Sequence, residues 1–118
     1  MRIDRFEEIK SWQKSRELSL LIYKLFERSN DFGFRNQIER ASVSIMNNIA
    51  EGFERQTNNE FRYFLFVAKG SSAEVRSMLY LAKDMGSISD NDFKKLQEVT
   101  IEISKLLSGE CKLNSVHF

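Results

Sequence analysis

Apolar side chains recur along four segments of the chain at the 3.6-residue period of an α-helix, and in each segment they gather on one side. The segments cover residues 9–29, 34–55, 57–85 and 89–109. The short connections leave no room for a crossover, so the pattern predicts an all-α fold, an antiparallel up-down-up-down four-helix bundle. We treat residues 1–118 as a single domain in which residues 110–118, which show no clear period, form a loose tail.

Polar residues mark the ends of the predicted helices. Thr57 and Glu60 form a capping-box pattern, in which the hydroxyl and the carboxylate each accept a hydrogen bond from a backbone N–H that the helix leaves unpaired. Ser89 precedes a first turn rich in acidic residues, where the helix dipole favours negative charge. Residues 30–33, which end in a glycine, are predicted to stop the first helix.

The apolar surface of two helices is larger than one bundle can bury. The apolar side chains off the core stripes of the first and third helices are Leu20, Leu21, Tyr63, Phe66, Val67, Met78 and Leu81. Large exposed apolar patches are typical of association surfaces, so we expect a homo-oligomer. Singly exposed apolar residues are also common on monomers, and they are the alternative explanation.

The composition excludes a strongly cationic protein. The 118 residues include 18 Lys and Arg against 17 Asp and Glu, for a net charge of +1, so any basic surface must come from local patterning. No segment is apolar enough for a membrane helix, and the charged N-terminus lacks the apolar stretch of a signal peptide. The single cysteine, Cys111, cannot form an intramolecular disulfide. Together these features predict a soluble cytoplasmic protein.

One side of the predicted third helix carries a regular line of cations, which we call the basic line. Its members recur every seven residues over about 30 Å: Arg62, Lys69, Arg76 and Lys83. Repeated around an oligomer, the basic line would neutralise the phosphates of RNA or DNA without reading sequence. The alternative is a solvated face whose cations pair with acids of a neighbouring helix. A second, weaker set of candidates on the first helix is Lys10, Lys14, Lys24 and Arg28.

The second helix carries a polar set beside its apolar stripe. Spacings of three and four residues make its members contiguous: Arg40, Ser44, Asn48, Glu51 and Arg55. Gly52 lies beside them and Gly70 lies in the third helix. Because a glycine inside a helix costs about 1 kcal/mol relative to alanine, both indicate tight helix contacts or a helix end. We interpret the polar set as a buried network that ties helices or subunits together. The alternative is a pocket for a ligand or nucleic acid.

The sequence lacks the residues of a catalytic or metal site. The single histidine is His117, close to the C-terminus, so the paired Glu-x-x-His motifs of a di-iron bundle cannot be assembled. A serine or cysteine nucleophile would have to recruit the same histidine. The five glycines are scattered and form no phosphate-binding loop. We therefore expect no enzymatic activity, no metal and no cofactor.

Above all in its predicted second and third helices, the sequence resembles the small four-helix-bundle proteins encoded within intervening sequences of bacterial 23S ribosomal RNA genes. The resemblance runs from Trp12 to about Gly86. It is densest over residues 37–55, which follow the family pattern Q-I-x-R-A-x-x-S-I-x-x-N-I-A-E-G-x-x-R. Residues 68–74, with the sequence Ala-Lys-Gly-Ser-Ser-Ala-Glu, also look like family positions.

The resemblance implies an antiparallel four-helix bundle that assembles as a ring-like homopentamer. Related accessory proteins of diversity-generating retroelements share this architecture and bind nucleic acid and a reverse transcriptase through basic surfaces. Carried over by position, the family-motif residues are Arg40, Asn48, Glu51, Gly52 and Arg55, with Glu74 of the third helix as their expected partner. The resemblance assigns no biochemical role.

Two functional hypotheses result. The leading one is a non-enzymatic, oligomeric bundle that binds RNA or DNA non-specifically through the basic line. The other is an adaptor whose outer faces dock a partner protein such as a reverse transcriptase or a polymerase.

Overall fold

Four long helices dominate the computed structural model, which describes residues 2–112. A 3₁₀ turn, Phe6–Glu8, precedes them. The helices are α1 (Lys10–Leu25), α2 (Phe32–Glu54), α3 (Asn58–Asp84) and α4 (Asp90–Lys112). Each helix contacts the next along the chain, and α4 also contacts α1, so the four close into a bundle. The predicted all-α four-helix bundle is confirmed.

The apolar stripes of the four helices meet in one core. Its fully buried side chains include Leu18, Ile22, Ile38, Ile45, Ile49, Leu65, Leu79, Ile103 and Leu107. Truncation of a buried Leu or Ile to Ala typically costs about 2–5 kcal/mol, so these stripes supply most of the free energy that holds the helices together.

Side-chain caps fix where α3 and α4 begin. The Thr57 hydroxyl accepts a hydrogen bond from the Glu60 N–H at 3.2 Å, and the Ser89 hydroxyl accepts one from the Asp92 N–H at 3.1 Å. Each bond satisfies one of the backbone donors that a helix leaves free in its first turn. Both predicted helix starts are confirmed.

The connection between α1 and α2 differs from its prediction. α1 ends at Leu25, several residues before the predicted end at residue 29. α2 begins earlier than predicted because the Asp31 carboxylate caps it, accepting a bond from the Phe34 N–H at 3.2 Å. Gly33 consequently lies in the first turn of α2 and does not stop α1. The rings of Phe26 and Phe34 lie 5.6 Å apart and pack the two helices together across this connection.

The end of α4 also differs from its prediction. Residues 110–112, which were expected to belong to a loose tail, continue the helix. Glu110 is held in place because its carboxylate accepts hydrogen bonds from the hydroxyl and the backbone N–H of Ser11 at the start of α1. Residues 113–118, which include His117, lie outside the described residues.

Candidate nucleic-acid interface

The basic line runs along the side of α3 that faces α4. Lys69 Nζ donates a hydrogen bond to the Ser108 hydroxyl at 2.8 Å. Arg62 Nε donates one to the backbone carbonyl of Cys111 at 3.2 Å. Both acceptors belong to α4, so this half of the line follows the groove between the two helices.

The other half of the basic line lies along the same groove. Lys83 Nζ lies 4.5 Å from the centre of the Phe93 ring of α4, within the range of a cation–π interaction. At Arg76 the helices are joined through the backbone, because Gln97 Nε2 donates a hydrogen bond to the Arg76 carbonyl at 3.2 Å. The Arg76 guanidinium itself forms no hydrogen bond or ion pair among the described residues.

Three cations of the basic line keep their charge uncompensated by carboxylates. Lys69 and Lys83 are exposed and Arg76 is half-buried. None of the three forms an ion pair with a carboxylate among residues 2–112. The alternative prediction, that these cations pair with acids of a neighbouring helix, is therefore wrong for all three within one chain.

An aromatic ring that the sequence analysis did not single out lies on the same groove. Tyr80 packs edge-on against Phe93, with ring centres 5.1 Å apart, and remains 55% exposed. An open pocket of about 470 Å³ lies beside it, lined by residues that include Arg76, Tyr80, Phe93, Lys94 and Gln97. The position of Tyr80, four residues after Arg76 and three before Lys83, is the signal that would have revealed it.

The cations of α1 are in a different electrostatic environment. Lys14 Nζ lies 3.4 Å from a carboxylate oxygen of Glu17 and 3.5 Å from one of Glu102. The attraction of Glu17, followed by that of Glu102, raises the pKa of Lys14. Lys10 is exposed on the same helix. Because the two carboxylates compete with a phosphate for Lys14, α1 is the weaker nucleic-acid candidate.

The polar set of α2 forms only a small network within one chain. Asn48 Nδ2 donates hydrogen bonds to the carbonyl and the hydroxyl of Ser44, at 2.7 and 3.0 Å. The Ser44 hydroxyl lies 3.0 Å from that of Ser71 on α3. The other members of the set are exposed: Arg40, Glu51 and Arg55. The prediction that these three residues belong to a buried network is therefore wrong within a single chain. A network buried between subunits stays a prediction.

A shallow pocket accompanies this polar set. It has a volume of about 400 Å³ and is lined by residues that include Tyr23, Arg40, Ser44, Asn48 and Glu51. Arg55 lies at the end of the set, where its guanidinium is 3.9 Å from the Glu51 carboxylate and 5.2 Å from the centre of the Phe64 ring. The polar set thus shares one open face of α2, whereas Gly52, which belongs to the same family pattern, is buried.

Gly52 in α2 and Gly70 in α3 have different surroundings. A Cβ at Gly52 would lie 2.5 Å from the Phe64 Cβ, so the predicted tight contact between α2 and α3 is confirmed there. A Cβ at Gly70 would meet nothing within 4 Å, so the prediction of a tight contact is wrong for Gly70 within one chain. Glu74, the expected partner of the α2 set, is exposed and forms no hydrogen bond or ion pair among the described residues.

The apolar side chains off the core stripes are partly exposed, as predicted. Leu20, Tyr63, Phe66 and Leu81 are each at least half exposed, and Val67 is 36% exposed. Leu21 and Met78 are exceptions, because they are partly buried and pack against the core. The α3 residues of this group flank Gly70 on the outer side of the helix.

Residues 2–112 contain no group of three His, Cys, Asp or Glu side chains placed to hold a metal ion. None of the helices in this range has both the length and the apolar character needed to cross a membrane.

Comparison with known proteins identifies the family. The sequence model of the 23S rRNA-intervening sequence proteins matches residues 7–109. This chain belongs to that family. The fold is similar to a crystal structure from Bacteroides thetaiotaomicron described as a protein of unknown function from the S23 ribosomal protein family. The TM-score is 0.81 with 27% sequence identity over 87% of this chain and 99% of that one. No curated protein matches the chain.

Proposed function

We propose that this member of the 23S rRNA-intervening sequence proteins is a non-enzymatic cytoplasmic protein that assembles with copies of itself and binds RNA or DNA non-specifically through the basic line. The observation that carries the proposal is a row of cations along the α3/α4 groove whose last three members have no carboxylate partner among the described residues.

The spacing of the basic line suits a polyanion better than a single anion. Successive members are seven residues apart, or about 10 Å along the helix. This distance is close to the Debye length at 0.1 M salt, so the cations repel one another only weakly while each remains able to meet a different phosphate. Binding would release the counterions condensed on the nucleic acid, and it would not depend on base sequence.

Self-association is supported by the outer side of α3. Tyr63 and Leu81 are at least half exposed there, and Gly70 lies between them with open space around it. A second copy packed on this side would bury the apolar side chains, and the absence of a side chain at Gly70 would let that copy approach the backbone closely. We take a homopentamer as the expected assembly, which would carry five basic lines. Light scattering that shows a monomer at micromolar concentration would contradict this part of the proposal.

The binding test compares two variants of equal charge. The first replaces Lys69, Arg76 and Lys83 with Gln, and the matched control replaces Lys10, Lys14 and Lys24 on α1. Affinity for a mixed-sequence oligonucleotide is measured by mobility shift at low salt. We expect the α3 variant to lose about tenfold or more in affinity, because three phosphate contacts disappear, and the α1 variant to lose far less. Equal losses, or no binding by the wild-type protein, would refute the role of the basic line.

The adaptor hypothesis is favoured by the same outer side of α3. If a different protein rather than a second copy covers Tyr63 and Leu81, the isolated chain is a monomer with this side exposed. A monomeric mass together with no affinity for nucleic acid at low salt would favour the adaptor, whereas an oligomer that binds nucleic acid would count against it.

A further inference from the structure

The basic line carries aromatic surface as well as charge. Tyr80 lies between Arg76 and Lys83 on α3, since residues three and four apart are neighbours on a helix surface. Its ring is held edge-on by Phe93 and yet is 55% exposed. Tyr80, Arg76 and Lys94 also line the same pocket of about 470 Å³. An oriented, accessible ring thus has a cation beside it on each helix of the groove, and one carboxylate, that of Glu98, also lines the pocket.

The same spacing of cation and ring recurs two heptads earlier. Phe66 lies four residues after Arg62 and three before Lys69, and its ring is 63% exposed. The repeat between them has Ala73 at the equivalent position. Phe66 and Tyr80 are 14 residues apart, or about 21 Å along the helix. The line therefore alternates cation and ring at both of its ends.

This alternation of cations and rings fits a single strand better than a duplex. In a single strand the bases can stack on exposed aromatic rings while cations follow the phosphates, and stacking tolerates any base sequence. In a duplex the bases already stack on one another, and each would have to be extruded, at a cost of a few kcal/mol, before it could reach a ring. Charge alone would favour the duplex, whose charge density is higher, so a preference for the single strand would have to come from stacking on the rings.

We infer that the α3/α4 groove binds single-stranded nucleic acid in preference to duplex, with a base stacked on Tyr80 and the flanking phosphates on Arg76, Lys83 and Lys94. This inference rests on the proposed function, because it assigns the strand form to the same surface.

The test removes the ring and keeps an apolar side chain. Tyr80→Leu retains apolar contact with Phe93. The matched control is Phe32→Leu at the start of α2, where the ring is 62% exposed and lies outside both the basic line and the outer side of α3. Fluorescence anisotropy measures the affinity for a single-stranded oligodeoxyadenylate and for a duplex of equal length at one low salt concentration. Circular dichroism confirms that both variants remain helical.

We expect the wild-type protein to bind the single strand more tightly than the duplex. Tyr80→Leu should weaken single-strand binding by about fivefold or more, equivalent to about 1 kcal/mol. It should leave duplex binding within about twofold, and Phe32→Leu should change neither. A strand containing 2-aminopurine gives a second readout, because its fluorescence should fall on the wild-type protein and fall less on Tyr80→Leu.

The other outcomes separate this inference from the proposed function. Unchanged single-strand affinity in Tyr80→Leu, or equal losses for both strand forms, would overturn base stacking. The variant in which Lys69, Arg76 and Lys83 are replaced with Gln tests the role of charge separately. A lower particle mass for Tyr80→Leu in light scattering would show that the ring contacts another copy, and would overturn the inference. No binding of either strand form by the wild-type protein would overturn both proposals.

Discussion

Gly52 in α2 and Gly70 in α3 predict opposite responses to the same substitution. At Gly52 an added Cβ would lie 2.5 Å from the Cβ of Phe64 and 3.3 Å from its Cγ. Because the Phe64 Cβ is fixed to the backbone of α3, a normal carbon–carbon contact of about 3.5 Å requires α2 and α3 to move apart by about 1 Å. At Gly70 the added methyl group enters open space.

The magnitudes follow from two opposing effects. Alanine gains about 1 kcal/mol over glycine inside a helix, and overpacking a core costs about 1–3 kcal/mol. A clash against a backbone-attached atom belongs at the upper end of that range. We therefore expect Gly52→Ala to lower the free energy of unfolding by about 2 kcal/mol. At protein concentrations low enough to keep the chain monomeric, we expect Gly70→Ala to raise it by about 1 kcal/mol.

Urea denaturation followed by circular dichroism measures the free energy of unfolding of both variants. In thermal melts their melting temperatures should differ by on the order of 10 °C. If Gly52→Ala were as stabilising as Gly70→Ala, the close contact between α2 and α3 would be refuted. If Gly70→Ala were destabilising, and more so at higher protein concentration, another copy would be packing directly on Gly70.

Three further substitutions test the polar contacts. Burial raises the pKa of Glu110, and the hydrogen bonds from Ser11 oppose this with a smaller effect. The stability that Glu110 contributes is therefore present below the ordinary carboxyl pKa of about 4.3 and is lost as the pH rises through the higher pKa of the folded protein. Glu110→Gln should therefore stabilise the protein more at pH 7 than at pH 4 in thermal melts, and an equal effect at both pH values would contradict this. Asn48→Ala should cost less than about 1 kcal/mol in urea titrations, since both bonds of Asn48 stay within α2 and alanine is the better helix former; a loss above about 2 kcal/mol would instead indicate burial in an assembly. Thr57→Ala should cost about 1 kcal/mol through loss of its cap, and an unchanged melting curve would show that the cap is not needed.

Local signals predicted part of the fold and distant contacts decided the rest. A cap is encoded in four consecutive residues, so Thr57 and Ser89 were sufficient to place the starts of α3 and α4. The end of α4 was mispredicted because Glu110 is held by Ser11, 99 residues away, and no local period reports such a contact. Gly52 and Gly70 look alike in the sequence, and only the packing of α2 on α3 separates them.

The candidate site shows the same division. Heptad spacing predicted that the basic line is one-sided, because spacing determines the face of a helix. It did not indicate that Lys14 is paired with Glu102, which belongs to α4. It also did not distinguish Tyr80, on the groove, from Met78, which packs against the core, since both are apolar residues at helical spacing.

The salt dependence of nucleic-acid binding tests the central claim most directly. The logarithm of the association constant for a single strand is plotted against the logarithm of the salt concentration, for the wild-type protein and for the variant in which Lys69, Arg76 and Lys83 are replaced with Gln. If these cations neutralise phosphates, the slope should be shallower in the variant by about 2, since each phosphate contact contributes about 0.7. Identical slopes would contradict the account.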